Sequence, residues 1–437
     1  MKKLPILLIL AGGAGKRFWP MTRSKDFFSF MGTSLLEHNI SLFENAGFRE
    51  AVIVCNPEDV ARISDFTFPK LAVRIIVQPE SSGMADAVSR AADSIGNNNP
   101  VLIVNAEDVV DLGFYSKLFT EATKDSPWVV GKQVSKYFDG GYLKIDGGRV
   151  MEIVEKPGIG NESSDRINLV FHFFPDLSVF TSLFKEVKSL KDDIYEQAFS
   201  LYMKDHKVFM VAYDGLWAPL KYPWHVLDVN AMLLSQLTKK TGRNVVIKKN
   251  VILEGNVYIE DNVTIYENTK IIGPCYIGKG SIIGNNNIIR ASHIGARCVT
   301  GFNTDITRSY IGADCWFHSN YIGDSVLESD VSMGSGTVLA NLRLDEEDIT
   351  SVVQNEKIST QKNKCGALIG SHVRIGINVS VMPGIKIGSY SSIGAGITIV
   401  KDIPSSSFCV GNRPSYTVKK NTRRVDIESR KQFHAKI

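Results

Sequence analysis

A six-residue period in the second half of the chain restricts its fold more than any other feature. Ile247, Leu253, Ile259, Ile265, Ile271, Ile277, Ile283 and Ile289 place an aliphatic side chain at eight consecutive hexads. A second column runs two residues ahead, at Val245, Val251, Val257 and Val263. After a phase break the period returns at Ile369, Ile375, Val381, Ile387, Ile393 and Ile399, and Ile369, Ile375, Ile387 and Ile393 are each followed by glycine. An amphipathic helix repeats every ~3.6 residues and a half-buried strand about every two, so neither produces this spacing. A stack of short strands does, each sending one side chain inward before the chain turns a corner. The segment therefore reads as a hexapeptide β-helix, whose hand the period alone does not fix. The polar stretch 343–364 has no hexads and is expected to be a loop excursion.

The first part of the chain follows a different pattern. Short apolar runs at residues 4–10, 51–54, 73–77 and 101–104 read as buried strands. The stretches 35–45, 57–66 and 83–95 between them read as helices, and helical patterning near 226–237 closes this part. Strand–helix alternation implies a mostly parallel sheet with helices on both faces, and ligands beyond the carboxyl ends of its strands. The organisation expected is an α/β domain over residues 1–240, a β-helix over 241–413 and a basic tail over 414–437. That tail carries Lys419, Lys420, Arg423, Arg424, Arg430 and Lys431, interrupted by Asp426 and Glu428, and reads as a solvated surface.

Composition narrows the class further. A formal net charge of +4 spread over 437 residues makes no case for nucleic acid. The six cysteines form no CxxC pair and are scattered, which argues against a zinc site and a disulfide framework and points to a reduced cytoplasmic protein. The apolar opening runs directly into Ala11-Gly12-Gly13-Ala14-Gly15, so it reads as a first strand feeding a glycine loop, not as a signal peptide. No apolar run is long enough to span a bilayer, and no membrane partner is expected.

The glycine loop continues as Lys16-Arg17-Phe18-Trp19-Pro20, with Lys25 shortly after. Glycines let backbone N–H groups approach phosphates closely, and Arg17 and Lys25 add positive charge. This segment resembles the LAGGxGxR signature of sugar-1-phosphate nucleotidyltransferases. The likeness continues in order through Gln78-Pro79-Glu80-Ser81-Ser82-Gly83, Asn105-Ala106-Glu107-Asp108, Glu155-Lys156-Pro157, Asn168, and Pro223-Trp224 with Asn230. The resemblance implies a Rossmann-like domain in which a sugar phosphate oxygen attacks the α-phosphorus of a nucleoside triphosphate and pyrophosphate leaves. Such chemistry is positioning plus neutralisation of a crowded polyanion. By resemblance, Ala11, Gly12, Gly13, Gly15, Gln78 and Gly83 bind the nucleotide, Arg17 the β/γ phosphates and Lys25 the α-phosphate region. Asp108 binds Mg²⁺, Lys156 the sugar's phosphate, and Glu155 and Asn168 its hydroxyls.

Two positions depart from the family pattern. The second metal-binding aspartate, two residues after a tryptophan, is replaced in Trp217-Ala218-Pro219, and Asp228 lies in the right neighbourhood to take its place. The glycine expected after Asn-Ala is replaced in Asn168-Leu169-Val170. Gln78 and Gly83 resemble the uridine and thymidine enzymes, whereas Trp19 in its Phe-Trp-Pro setting resembles mannose-1-phosphate guanylyltransferases. UTP is the favoured donor. A guanylyl- or thymidylyltransferase with a structural β-helix, and a degenerate regulatory or scaffold subunit, are the alternatives.

Within the hexads, Gly273-Pro274-Cys275-Tyr276-Ile277-Gly278 and Ile289-Arg290 resemble the bifunctional glucosamine-1-phosphate acetyltransferase/uridyltransferase family. So do His318-Ser319-Asn320-Tyr321-Ile322-Gly323-Asp324 and Ala340-Asn341, while Lys364-Cys365-Gly366-Ala367-Leu368-Ile369-Gly370 resembles its archaeal members. The resemblance implies a left-handed β-helix and acetyl transfer from acetyl-CoA to an amino-sugar-1-phosphate. An ammonium is not nucleophilic, so a base of near-neutral pKa is needed, which His318 would supply. Tyr321 and Asn341 would position the amino sugar, Arg290 its phosphate, and Ala395 would lie against the CoA arm. The family's lysine in Glu-Ile-Lys falls at Thr307, with Arg308 adjacent. His293 and His372 read as surface residues. A homotrimer or dimer of trimers is the assembly implied.

Overall fold

The computed structural model describes residues 4–121, 125–189 and 193–411; the basic residues from Lys419 onward lie outside them. The first domain is built on nine strands: β1 (Ile6–Ala11), β2 (Glu50–Cys55), β3 (Ala72–Val77), β4 (Val101–Asn105), β5 (Trp128–Gln133), β6 (Gly141–Asp146), β7 (Arg149–Glu155), β8 (Arg166–Phe174) and β9 (Val208–Tyr213). Their spatial order is β3-β2-β1-β4-β8-β5-β9-β7-β6. The four strands legible as apolar runs pair in parallel at one side of the sheet. β8 then runs antiparallel to both β4 and β5, which makes the other side mixed. Side chains alternate across the sheet. Leu7, Ile9 and Val104 pack on one face with Leu36, Ile40 and Phe43 of helix α1 (Leu35–Ala46). Ile6, Leu8 and Ile103 pack on the other with Ala87, Val88 and Ala91 of α2 (Met84–Ile95) and Phe199 of α3 (Ile194–Asp205). Helix α4 (His225–Ser235) leads to the second domain.

The second domain is a left-handed parallel β-helix of three sheets, with eight, nine and eight strands, beginning at Lys240–Thr241. Its inward columns are the hexad residues: Ile259, Ile265, Ile271, Ile277, Ile283 and Ile289 are all fully buried. Ile247, 43% exposed, and Leu253, half-buried, are the exceptions, because they lie in the end coil with nothing stacked beneath them. The phase break is a change of coil length, not an end of the fold. One column runs Ile247, Ile265, Ile283, Thr300, Phe317, Met333, Ile375, Ile393 and Cys409, with steps of 18, 18, 17, 17, 16, 42, 18 and 16 residues. Deleting a residue at a corner shifts the hexads yet keeps the strands in register. The 42-residue step holds the excursion, which forms a hairpin of Thr350–Val353 and Glu356–Ser359. Corners use left-handed residues, among them Asn244, Asn250, Asn262 and Asn268. Their amides form ladders, Asn244 to Asn262 and Asn250 to Asn268, at 3.1 Å each.

The first domain docks along one flank of the β-helix. Tyr258, Tyr276, His293 and Tyr310 stack up this flank with ring centroids 5.7, 4.9 and 4.6 Å apart. Phe28 and Phe30 pack on Tyr310 at 5.0 and 5.6 Å. His293 is therefore not a surface residue: it is 3% exposed and its Nε2 accepts the Met31 N–H at 3.0 Å. Its Nδ1–H consequently donates to the Ile311 carbonyl, and burial pushes its pKa down to about 4. His372 is half exposed, paired with Asp330 and stacked on Tyr390.

Candidate active sites

The glycine loop leaves the carboxyl end of β1 at Ala11, and Gln78 closes over it from the end of β3. Gln78 is 2% exposed, and its amide donates to the Gly83 carbonyl at 3.1 Å and to Asp86 at 2.9 Å. A Cβ on Gly12 would stand 2.4 Å from Gln78 Oε1, so a larger residue there would displace the Gln78 amide. Ser81 donates to the Gly12 carbonyl at 2.7 Å, joining the two segments. Gly15 takes a left-handed φ of 61°, and its carbonyl accepts the Phe18 N–H at 2.8 Å, turning the chain so that Arg17 and Lys25 follow on the same loop.

Beside this loop, Asp108 sits in a two-stranded ribbon of Asp108–Val110 and Trp217–Pro219. It is buried and its Oδ1 accepts the Trp217 indole N–H at 2.8 Å. Burial pushes its pKa up to about 6, against that hydrogen bond. Asn39 of α1 donates to the carbonyls of Ala106 and Asp108 at 2.8 and 3.2 Å and fixes the backbone there. Lys25 forms an ion pair with Glu107. The adjacent Asp26 is buried, and burial with Glu107 nearby pushes it up to about 7. The Asp228 carboxylate pairs with Lys362 of the β-helix excursion, so that in this structure it is engaged by a lysine.

Lys156 takes a left-handed φ of 45°, with its N–H on the Gly140 carbonyl at 3.1 Å. Its ammonium lies 3.6 Å from Glu155. Sequence reasoning missed the group that joins it. Lys221 bonds Asp139 at 3.0 Å and lies over the rings of Phe138 and Tyr222. Burial opposes ionisation of Asp139, but Lys221, then Lys156 and Arg17, outweigh it and hold the carboxyl below its ordinary value. Burial likewise pushes the Lys221 ammonium down, against the pull of Asp139. Three cations far apart in sequence thus act on one carboxylate. A lysine inside a Pro-Leu-Lys-Tyr-Pro stretch gave no motif to find.

Asn168 and Glu155 approach each other across Gly141, where a Cβ would lie 3.1 Å from Glu155 Oε2 and 3.7 Å from Asn168 Cβ. Behind Asn168 runs a buried relay. His172 Nε2 bonds Asn168 Oδ1 at 2.9 Å, and His172 Nδ1 bonds the Tyr195 hydroxyl at 2.7 Å. Burial pushes His172 down to about 3, so the ring is neutral. With its Nε2–H donating to Asn168 Oδ1, that oxygen is occupied and the Asn168 amide N–H groups are left for other acceptors. The Leu169-Val170 departure coincides with a bulge in the β8–β5 pairing between Leu169 and His172.

On the β-helix, His318 stands exposed at a corner, its backbone held by Asn320 and Thr304. Ala395 lies exposed on the same corner three coils on, about 14 Å away at normal strand spacing. Tyr321 and Asn341 meet at 3.5 Å, and Asn341 also bonds Asp324. Arg290 pairs with Asp305 through both carboxylate oxygens, at 2.7 and 2.8 Å. Thr307 neighbours Arg290 in register and is buried. Arg308 does not replace the family lysine, because its guanidinium is committed to Asp324 at 2.6 and 2.7 Å. The two domains therefore present separate candidate sites with no shared residue.

A doubly wound sheet with a glycine loop at β1, joined to a hexapeptide β-helix, defines a nucleotidyltransferase-type domain fused to an acyltransferase-type domain. The chain matches the Nucleotidyl transferase family over residues 6–219 and the Bacterial transferase hexapeptide (six repeats) family over 258–291. It is 32% identical over 412 residues to the bifunctional sugar-1-phosphate nucleotidylyltransferase/acetyltransferase of Sulfurisphaera tokodaii, covering 92% of this chain and 98% of that one. It is 31% identical over 424 residues to the bifunctional protein GlmU of Methanococcus vannielii, covering 92% and 96%. The GlmU of Methanocaldococcus jannaschii is 29% identical over 421 residues, with the same coverages. The chain belongs to this family of two-domain sugar-1-phosphate nucleotidylyltransferase/acetyltransferases. No helix among the described residues is long and apolar enough to cross a membrane.

Proposed function

We propose that the first domain transfers a nucleotidyl group from a nucleoside triphosphate, UTP favoured, to a sugar-1-phosphate with release of pyrophosphate. The observation that carries this reading is the glycine loop at the end of β1, closed over by the buried Gln78 and tied to it through Ser81, with the buried Asp108 in the same domain. Arg17 and Lys25 bind the triphosphate, while the backbone of Gly12, Gly13 and Gly15 approaches its oxygens. Lys156 and Lys221 orient the sugar phosphate for attack on the α-phosphorus, and Glu155 and Asn168 bind sugar hydroxyls. Asp108 fits Mg²⁺: it is a desolvated carboxylate raised to about 6, and one protein carboxylate with phosphate oxygens and water suits this ion. When bound, Mg²⁺ neutralises phosphate charge.

The β-helix transfers acetyl from acetyl-CoA to the amine of an amino-sugar-1-phosphate. His318 accepts the amine proton, Tyr321 and Asn341 position the sugar, Arg290 takes its phosphate in exchange for Asp305, and Ala395 borders the CoA arm. The exposed His318 and the outward Ile288, Trp316 and Val338 support a homotrimer or dimer of trimers. The six cysteines are all free thiols, consistent with a cytoplasmic protein. A mass-spectrometric screen of nucleoside triphosphates against sugar-1-phosphates, with and without acetyl-CoA, tests both halves. Pyrophosphate from UTP and CoA from an amino-sugar-1-phosphate are the expected products. Turnover with GTP alone overturns the base assignment, and absence of any pyrophosphate overturns the first half.

A further inference from the structure

The phosphate loop does not end within its own domain. Residues 19–32 lie along the β-helix flank from the coil of Tyr276 to that of Ser405. A Cβ on Gly32 would contact the Tyr276 hydroxyl at 3.5 Å, and Trp19 Nε1 reaches Ser405 at 3.4 Å. Between these ends the Tyr310 hydroxyl donates to the Ser29 carbonyl at 2.5 Å, and His293 accepts the Met31 N–H. The strongest link is Glu328 of the β-helix, 3% exposed. Its Oε2 accepts the N–H of Thr22 at 2.9 Å and that of Ser371 at 3.0 Å. Its Oε1 accepts the N–H of Arg23 at 3.0 Å and the Thr22 hydroxyl at 2.9 Å. One carboxylate from the second domain thus occupies two consecutive loop amides, only two residues before Lys25.

We propose that Glu328 is a positioning residue for nucleotidyl transfer, so that the β-helix flank forms the second wall of the phosphate loop. The proposal rests on the reading that residues 11–25 hold the triphosphate. An ionised acceptor satisfying buried N–H groups forms stronger hydrogen bonds than a neutral one. Its geometry is copied directly into the backbone at Thr22 and Arg23, which sets the direction in which Lys25 leaves the chain. The aromatic contacts of Phe28 and Phe30 with Tyr310 fix the far side of the same segment. Residues 19–32 are held at both ends and in the middle by the other domain, while Gly13 and Gly15 ahead of them have open space around them. Since binding and docking act on one segment, each favours the other by the same factor.

The test uses the full chain and Glu328→Gln, which keeps size but replaces one acceptor by an N–H₂ facing other donors. Steady-state kinetics with Mg²⁺–UTP should give a KM for UTP raised about tenfold or more, with the KM for sugar-1-phosphate within about twofold, as expected for misplacement of one ligand's contacts. Backbone hydrogen exchange should accelerate about fivefold across residues 18–31 and stay at parent rates in the β-helix coils. A UTP KM at the parent value overturns the proposal, whether or not exchange changes. So does a parallel rise in both KM values with faster exchange throughout, which marks general destabilisation. Should Glu328→Gln fail to fold, Tyr310→Phe removes only the bond to Ser29 and should move the same two readouts about threefold; no change there is equally fatal. A parent chain that releases no pyrophosphate defeats the functional reading. The exchange arm, run with and without Mg²⁺–UTP, then stands on its own: loosening confined to 18–31 supports the link, and unaltered exchange rejects it.

Discussion

Pro219 lies directly opposite Asp108 in the ribbon beside the phosphate loop. The position facing the buried carboxylate therefore carries an uncharged ring. An added carboxylate there would meet the same ion as Asp108, so Pro219→Asp should lower the Mg²⁺ concentration for half-maximal pyrophosphate release by about tenfold, the scale of one charged ligand. Asp108→Asn should abolish the Mg²⁺-dependent activity. Asp228→Asn should leave the Mg²⁺ titration unchanged, because that carboxylate serves Lys362.

Lys221 is the cation that the motifs did not identify. Lys221→Met preserves most of the side-chain bulk over Phe138 and Tyr222 while removing the charge. Losing a charge-assisted contact costs about 1.5–3 kcal/mol, so the KM for sugar-1-phosphate should rise about 10- to 100-fold. Arg17→Ala should instead remove pyrophosphate formation with the fold intact by circular dichroism. A Lys221→Met variant whose nucleotide KM rises as much as its sugar-1-phosphate KM would reject the division of labour.

His318 tests the second half alone. His318→Ala should reduce CoA release with glucosamine-1-phosphate by about 10²–10⁴-fold, the usual contribution of a general base. The limb of the pH–rate profile that the general base contributes should disappear with it. Pyrophosphate release should stay near the parent rate, since the two sites share no residue.

The docked flank should also be acid-sensitive. His293 is neutral when folded and its pKa falls to about 4 through burial, below its unfolded value. Its contribution to stability is therefore present above about pH 6.5 and is lost as pH falls toward the folded value, about 3 kcal/mol in full. Thermal melts between about pH 7.5 and pH 4.5 should fall more steeply for the parent than for His293→Phe, which keeps the stack but loses the acceptor for Met31. His172 and His225 act in the same direction, and Asp26 and Asp108, raised by burial, in the opposite one. All four are common to both proteins, so the difference in slope reports His293.

Much of the architecture was legible in the sequence because the interactions that set it are short-range or repetitive. Each β-helix coil bonds the next, so Ile265 over Ile283 is written as a spacing of 18 residues. β1, β2 and β4 read as apolar runs because they are buried on both faces, whereas β3 is an edge strand that stays half-exposed. The antiparallel insertion of β8 between β4 and β5 had no such signature, since Asn168 and His172 interrupt it. The break in the hexads concealed coils of 17 and 16 residues, which keep inter-strand pairing while destroying the arithmetic.

The sequence by itself determined the β-helix, the parallel half of the sheet and the phosphate loop, where local backbone conformation and neighbouring pairings suffice. Only the tertiary structure decided that Lys221 joins Arg17 and Lys156 about Asp139, that Asp228 faces Lys362, and that Glu328 reaches Thr22 across 306 residues of chain. The histidine at 293 has the same composition signal whether it faces water or Met31. Burial and partner are properties of two surfaces meeting, and the docking of one domain on the flank of the other is encoded in no single stretch of either.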